Sequence, residues 1–161
     1  MINYSYGEDF LSNEQLSSIW QELDMIFPAM STPEHCGAAQ NKKSGKGFFA
    51  EEFVAGTVIP TIANLSKFAE HDGRYTVLVN YYGENDYYKP HVDDSVKTLT
   101  VFLSKEEDAF TGGDFKFNDL NVTIPFKNNS YVVFDQGLTH EVTPVHLKKS
   151  TGRYSLTYFY Y

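Results

Sequence analysis

The chain has 161 residues, 42% hydrophobic and 16% aromatic, enough for one domain with a real core, and its 12 Tyr and 13 Phe lean toward β structure. A formal net charge of −8 argues against a general nucleic-acid binder, which carries a basic footprint. Cys36 is the only cysteine, so no disulfide can form within the chain. No apolar run approaches a membrane span, and Met1 to Phe10 lacks a basic-then-apolar leader, so the expectation is a soluble, cytoplasmic protein.

Ser12 to about Phe27 reads as an amphipathic helix, with Leu16, Ile19, Trp20, Leu23, Ile26 and Phe27 recurring at three- and four-residue spacing. Ser12 and Gln15 form a capping-box pattern at its start, and Pro28 marks its stop. Residues 28–47 break the pattern with Pro28, Pro33, Gly37, Gly45 and Gly47, and a loop of that length is often functional or mobile. Its His35-Cys36 pair lacks a second His/Cys pair and makes a poor metal site; its basic cluster, Lys42-Lys43-Ser44-Gly45-Lys46, reads as a solvated loop. A second helix is expected from Val58 to Ala69, with Ile59, Ile62, Leu65 and Phe68 on one side and His71-Asp72-Gly73 as the closing turn.

From Arg74 onward the period changes to two. Strands are expected over 75–81, 97–103, 113–118, 120–126, 130–135, 140–145 and 153–160. Helices followed by a run of strands imply an α+β, mainly β, domain with helices on one face of a β-sandwich. The organisation expected is one domain over 1–161, with residues 1–73 as helical support and loop and 74–161 as the β core.

The chemistry is concentrated in three places: His91-Val92-Asp93, His140 within Leu138-Thr139-His140-Glu141-Val142, and Arg153 within Gly152-Arg153-Tyr154-Ser155-Leu156. Residues two apart in a strand share a face, so His91 and Asp93 can meet one metal together. His140, arriving from a distant strand, would complete two imidazoles and one carboxylate, the ligand set of non-haem Fe(II) oxygenases. A near pair plus a distant ligand fits a double-sheet barrel, in which sequence-distant strands meet across the interior. On the last strand Arg153 shares a side with Ser155 and Thr157, and an inward guanidinium would be costly unless a dicarboxylate met it. A 2-oxo acid has the right groups: a keto oxygen and carboxylate for the metal, and a far carboxylate for the arginine.

At these residues the chain resembles the prolyl 4-hydroxylase-like family of Fe(II)/2-oxoglutarate-dependent dioxygenases, which includes the oxygen-sensing prolyl hydroxylases. The resemblance covers roughly residues 74–161 and rests on Asn80-Tyr81-Tyr82-Gly83, Tyr87-Tyr88-Lys89-Pro90-His91-Val92-Asp93, Thr111-Gly112-Gly113, His140-Glu141-Val142-Thr143-Pro144-Val145 and Gly152-Arg153-Tyr154-Ser155-Leu156. It implies a double-stranded β-helix (a jelly-roll or cupin-like barrel) with supporting N-terminal helices. It also implies His91, Asp93 and His140 as iron ligands and Arg153 as the clamp for 2-oxoglutarate. Tyr81 lies where the oxygen-sensing members place a tyrosine near the co-substrate, with Tyr82 the competing candidate. Thr98 or Thr100 would supply a further hydroxyl; Phe102 stands where some relatives carry tyrosine. The stretch from His140 to Arg153 is longer than usual, which makes Lys149 a rival clamp and His146 a rival ligand. The carboxylate of Asp93 argues against the related halogenases, which lose that ligand.

The resemblance implies Fe(II) as cofactor, 2-oxoglutarate and O2 as co-substrates, ascorbate as an accessory reductant, and release of succinate and CO2. The function expected is hydroxylation of a prolyl residue in a peptide or protein, with residues 28–49 and 83–90 as the lid. Other readings are an oxygenase of the same scaffold acting on another side chain, a small molecule or nucleic acid, or a non-catalytic barrel that binds a ligand. The acidic balance and the lack of a basic groove interleaved with aromatics disfavour nucleic acid. No membrane partner is expected, and the sequence carries no signal of oligomeric state.

Overall fold

A computed structural model describes residues 4–36, 42–50, 58–65 and 74–161. In chain order, β1 (Tyr4–Gly7) precedes α1 (Asn13–Ile26), a single 3-10 turn (Phe27–Ala29), α2 (Pro33–Cys36), β2 (Lys46–Phe49) and α3 (Val58–Leu65). There follow β3 (Tyr75–Tyr82), β4 (Tyr88–His91), β5 (Lys97–Ser104), β6 (Phe110–Gly112), β7 (Phe115–Phe117) and β8 (Val122–Ile124). The last four are β9 (Ser130–Asp135), β10 (His140–Val142), β11 (Val145–Leu147) and β12 (Arg153–Tyr160).

The capping box at Ser12 is formed: its hydroxyl accepts from the Gln15 N–H, and the Gln15 side chain accepts from the Ser12 N–H. The described part of the second helix starts where expected, at Val58, and the turn expected at 71–73 lies outside the described residues. Glu22 on α1 accepts hydrogen bonds from the backbone N–H groups of Val58 and Ile59, so one helix caps another across the sequence.

Among the described residues the strands form a six-stranded antiparallel sheet in the order β1-β9-β5-β12-β3-β2, a four-stranded sheet β4-β10-β7-β8 and the pair β11-β6. The strict alternation expected for 153–160 holds. Tyr154, Leu156, Tyr158 and Tyr160 join Val77, Val79, Leu99, Val101 and Leu103 in a core roofed by Ile19, Leu23, Ile26, Ile59 and Ile62 from the helices. The opposite face of the large sheet meets the smaller one through a second core containing Tyr82, Phe102, Phe115, Phe117, Val132, Phe134 and Val142. The architecture is therefore a double-stranded β-helix with helices on its outer face.

Several elements differ from the sequence reading, among them β6, which no expected strand covered. β1 and β2 come from the stretch assigned to helices and loop, and they extend the two edges of the large sheet. Both are four-residue edge strands, too short to show a period. The strand expected over 140–145 is split into β10 and β11 at Thr143-Pro144, because proline cannot donate to a ladder. Finally, Asp93 lies just beyond the end of β4, whereas a common strand with His91 was expected.

Candidate active site

His91 and His140 are cross-strand partners on β4 and β10, so pairing alone brings these sequence-distant imidazoles together. The turn after β4 then folds Asp93 back between them: His91 Nε2 lies 3.5 Å from Asp93 Oδ1 and His140 Nε2 lies 3.5 Å from Asp93 Oδ2. One potential ligand atom from each of the three falls within 4.8 Å of the others, and all three side chains are less than a tenth exposed.

Each imidazole is oriented in the same local way. His91 Nδ1 donates to the Lys89 carbonyl at 2.8 Å and His140 Nδ1 to the Leu138 carbonyl at 2.9 Å. An ordinary carbonyl can only accept, so both rings carry their proton on Nδ1 and present the Nε2 lone pair inward, as metal ligation needs. The Tyr88 ring stacks on His91 at 3.8 Å between centroids; Phe115 stacks on His140 at 5.3 Å and Phe134 meets it edge-on at 4.6 Å. Burial pushes the His140 pKa down, against the opposing charge of Asp93, which favours the neutral, ligating form.

Asp93 is held by a chain of hydroxyls: Thr98 donates to its Oδ2 at 2.8 Å, and Ser95 Oγ lies 2.8 Å from Thr98 Oγ1. Burial alone would raise the Asp93 pKa, yet the two adjacent imidazoles and the Thr98 hydroxyl together bring it below the ordinary carboxylate value. It is therefore an anion at neutral pH. Two imidazole Nε2 atoms and an anionic carboxylate fit a divalent iron.

The chamber beside them is lined by Leu78, Asn80, Tyr82, Tyr88, Thr100, Phe115, Val142, Ser155, Thr157 and Phe159 around His91, Asp93 and His140. Arg153 enters the same inner face of the large sheet, in register with Tyr82 on β3 and Ser104 on β5. It is completely buried, and its Nε donates to the Gly113 carbonyl at 2.8 Å. Its two terminal nitrogens have no hydrogen-bond partner among the described residues. Its guanidinium carbon lies 5.0 Å from the Phe102 ring centre, 5.2 Å from Tyr82 and 5.7 Å from Phe126, so aromatic faces supply part of the missing stabilisation. Burial pushes the Arg153 pKa down to about 10, which still leaves it charged at neutral pH. A buried cation with two idle, forked donors is the observation that fits a carboxylate of 2-oxoglutarate.

Gly113 makes room for this arginine, and Gly152 lets the start of β12 approach the end of β3 closely. A side chain at Gly152 would put Cβ 2.0 Å from the Tyr82 carbonyl, and one at Gly113, where φ is +67°, would meet Arg153 Cδ at 2.8 Å.

Of the two tyrosines weighed for the co-substrate, Tyr82 faces the chamber and Tyr81 does not. Tyr81 belongs to the helix-side core, packs edge-on to Phe27 and Tyr154, and accepts a hydrogen bond from the Gly152 N–H at 3.2 Å. The reason is the two-residue period of β3, which sends neighbours to opposite faces. Thr100 lines the chamber and lies 3.4 Å from the Thr157 hydroxyl, whereas Thr98 is engaged with Asp93. The rivals are placed elsewhere: Lys149 bonds the Glu107 carbonyl at the surface, and the exposed His146 faces Glu84. His35 is likewise exposed and paired with Thr32. Lys43 overturns the solvated-loop reading, because it is buried against Asn80.

Sequence reasoning passed over the orienting role of Thr98 and the placement of Asn80 and Lys43. The signal for Thr98 was present, since Thr98, Thr100 and Phe102 share one face of β5. The other two required knowledge of which strand covers β3.

The sequence profile of the 2OG-Fe(II) oxygenase superfamily matches residues 77–161. No curated protein matches the chain by sequence. Among solved structures, a Pseudomonas putida prolyl-4-hydroxylase aligns at 16% identity with a TM-score of 0.73, covering 99% of this chain and 92% of that one. A Trichoplax adhaerens prolyl hydroxylase, solved with a hypoxia inducible factor oxygen degradation domain peptide fragment, aligns at 14% identity with a TM-score of 0.73, covering 100% and 84%. A viral collagen prolyl hydroxylase from Paramecium Bursaria Chlorella virus-1 aligns at 21% identity with a TM-score of 0.60, covering 98% and 94%. At these identities the likeness establishes the fold.

Proposed function

Since the chain belongs to the 2OG-Fe(II) oxygenase superfamily, we propose that it hydroxylates a prolyl residue of a peptide or protein, with His91, Asp93 and His140 holding the iron and Arg153 the far carboxylate of 2-oxoglutarate. The observation that carries the cofactor assignment is the conjunction of the two-imidazole, one-carboxylate cluster with a buried arginine whose terminal nitrogens are unpartnered among the described residues. Iron held there would supply O2 activation coupled to oxidative decarboxylation of 2-oxoglutarate, one oxygen atom going to succinate and the other to the substrate C–H bond.

The protein's own share of the work is orientation and exclusion of water. Lys89 and Leu138 carbonyls fix the imidazoles, Thr98 fixes the carboxylate, and Gly113 anchors Arg153. Phe115, Val142 and Tyr82 give the chamber apolar walls, which strengthens every polar contact inside it.

A polypeptide substrate is supported by what lies outside the ligands. There, a second cleft is lined by Lys42, Phe49, Thr76, Val92, Asp94 and Tyr161 together with Tyr88, His91, Asp93 and Phe159, four residues it shares with the chamber. It is open and aromatic on several sides, so a chain can lie across it while one apolar ring reaches the metal face. Lys42 and Phe49 form part of its wall.

The test is mass spectrometry of proline-rich peptides and host proteins incubated with enzyme, Fe(II), 2-oxoglutarate and ascorbate. The expected product carries one added oxygen on proline and disappears with His91→Ala. Oxygen added only to other residues would overturn the prolyl assignment while leaving the oxygenase assignment intact.

A further inference from the structure

The chamber contains a polar group that neither the metal cluster nor the arginine clamp uses. Asn80 is buried on the inner face of β3, between Leu78 and Tyr82, and in register with Ser155 on β12. It sits one pleat from the Tyr82–Arg153 pair, on the way to the Thr98 end of the sheet that holds Asp93. Its Oδ1 accepts a 2.6 Å hydrogen bond from Lys43 Nζ, a buried ammonium that also donates to the Lys46 carbonyl at 3.2 Å.

Lys43 is held in place by backbone. Residues 42–44 run beside 87–89, with Lys89 N–H on the Lys42 carbonyl, Ser44 N–H on the Tyr87 carbonyl, and a bridge between Lys43 and Tyr88. The segment that brings the ammonium is thus pinned to the strand that carries His91. The ammonium lies 5.5 Å from the Tyr82 ring centre, and the Arg153 guanidinium carbon lies 5.2 Å from the same ring. Two cations therefore flank one chamber tyrosine.

An ammonium can only donate, so the Asn80 amide has no freedom to flip: its oxygen must face Lys43 and its NH2 must face away. That NH2 makes no hydrogen bond among the described residues, although Asn80 lines the chamber. We propose that Lys43 is a positioning residue that locks the Asn80 amide, making its NH2 a second recognition point for an oxygen of 2-oxoglutarate between Arg153 and the metal ligands. The proposal rests on the oxygenase reading and adds to it a chain-specific contact with the co-substrate.

The test is anaerobic calorimetry of Fe(II), and then of 2-oxoglutarate, into wild type, Asn80→Asp and Lys43→Met. Asn80→Asp is the same size and keeps an acceptor for Lys43, so it preserves the fold. It replaces the donor facing the co-substrate with an anionic oxygen. The co-substrate dissociation constant should rise roughly 10- to 100-fold, the range for a lost hydrogen bond to a charged group, with Fe(II) affinity unchanged. Lys43→Met should raise the same constant by several-fold, again without changing Fe(II) affinity. Binding of 2-oxoglutarate by Asn80→Asp within twofold of wild type would overturn the proposal. An unchanged constant in Lys43→Met would overturn the positioning role of the lysine. Failure of wild type to take up 2-oxoglutarate would overturn the oxygenase reading and the pair with it, whereas wild-type binding with unaffected variants would sink the pair alone.

Discussion

The Arg153 guanidinium is fully buried with two idle nitrogens among the described residues, and this makes Arg153→Met an informative substitution. A buried, unpartnered polar group costs about 1–3 kcal/mol, and more when charged. Against this, aromatic contacts return up to about 2 kcal/mol and the bond to Gly113 about 1.5–3 kcal/mol. Methionine keeps most of the packing volume and removes contributions of both signs, so the ligand-free variant should lie within about 1 kcal/mol of wild type. If Arg153 were instead half of a satisfied buried pair, its loss would cost about 3–5 kcal/mol. At about 2–4 °C per kcal/mol for a domain of this size, that alternative lowers Tm by about 6–20 °C.

Thermal unfolding under nitrogen, with and without Fe(II) and 2-oxoglutarate, separates the two cases. At a hundredfold excess over Kd the co-substrate should stabilise wild type by about 2.7 kcal/mol, or about 5–10 °C. Arg153→Met should show nearly unchanged ligand-free Tm and no co-substrate shift. A ligand-free Tm lowered by 6 °C or more, or a shift of wild-type size in the variant, would refute the reasoning.

Two further substitutions test the supports around the site. Thr98→Val removes the hydroxyl that donates to Asp93 Oδ2 at 2.8 Å, and chelator competition should show Fe(II) affinity reduced about 10- to 100-fold; unchanged affinity would make the hydroxyl irrelevant to the metal. Gly113→Ala would place a methyl 2.8 Å from Arg153 Cδ at a φ of +67°, so urea unfolding should show a loss of about 1 kcal/mol or more, with weaker 2-oxoglutarate binding in the same protein. A stable Gly113→Ala protein with wild-type co-substrate affinity would contradict the packing described for the arginine.

The candidate metal ligands and Arg153 stood out in the sequence because their chemistry permits few residue types and their order along the chain is distinctive. The long strands β3, β5, β9 and β12 were equally visible, since a buried sheet with two different faces imposes a strict period of two. Tyr81 and Tyr82 illustrate the limit of that signal. Adjacent residues take opposite faces, and only the pairing of Tyr82 with Arg153 decides which one enters the chamber. Asp93 shows another: two-residue spacing placed it correctly beside His91, although a turn, and not a strand, carries it there. Lys43 lay furthest from view. A lysine in a Gly- and Lys-rich loop reads as solvated until the backbone of residues 42–44 is seen against 87–89, a contact between segments more than forty residues apart that leaves no local pattern.

The central claim is that this chain binds one Fe(II) and then 2-oxoglutarate through the residues named. The most direct measurement is an anaerobic absorbance titration of the purified protein, first with Fe(II) and then with 2-oxoglutarate. Wild type should develop a visible charge-transfer band that saturates near one iron per chain, is absent in His140→Ala and needs far more co-substrate in Arg153→Met. A folded wild-type protein that develops no band under these conditions would contradict the claim.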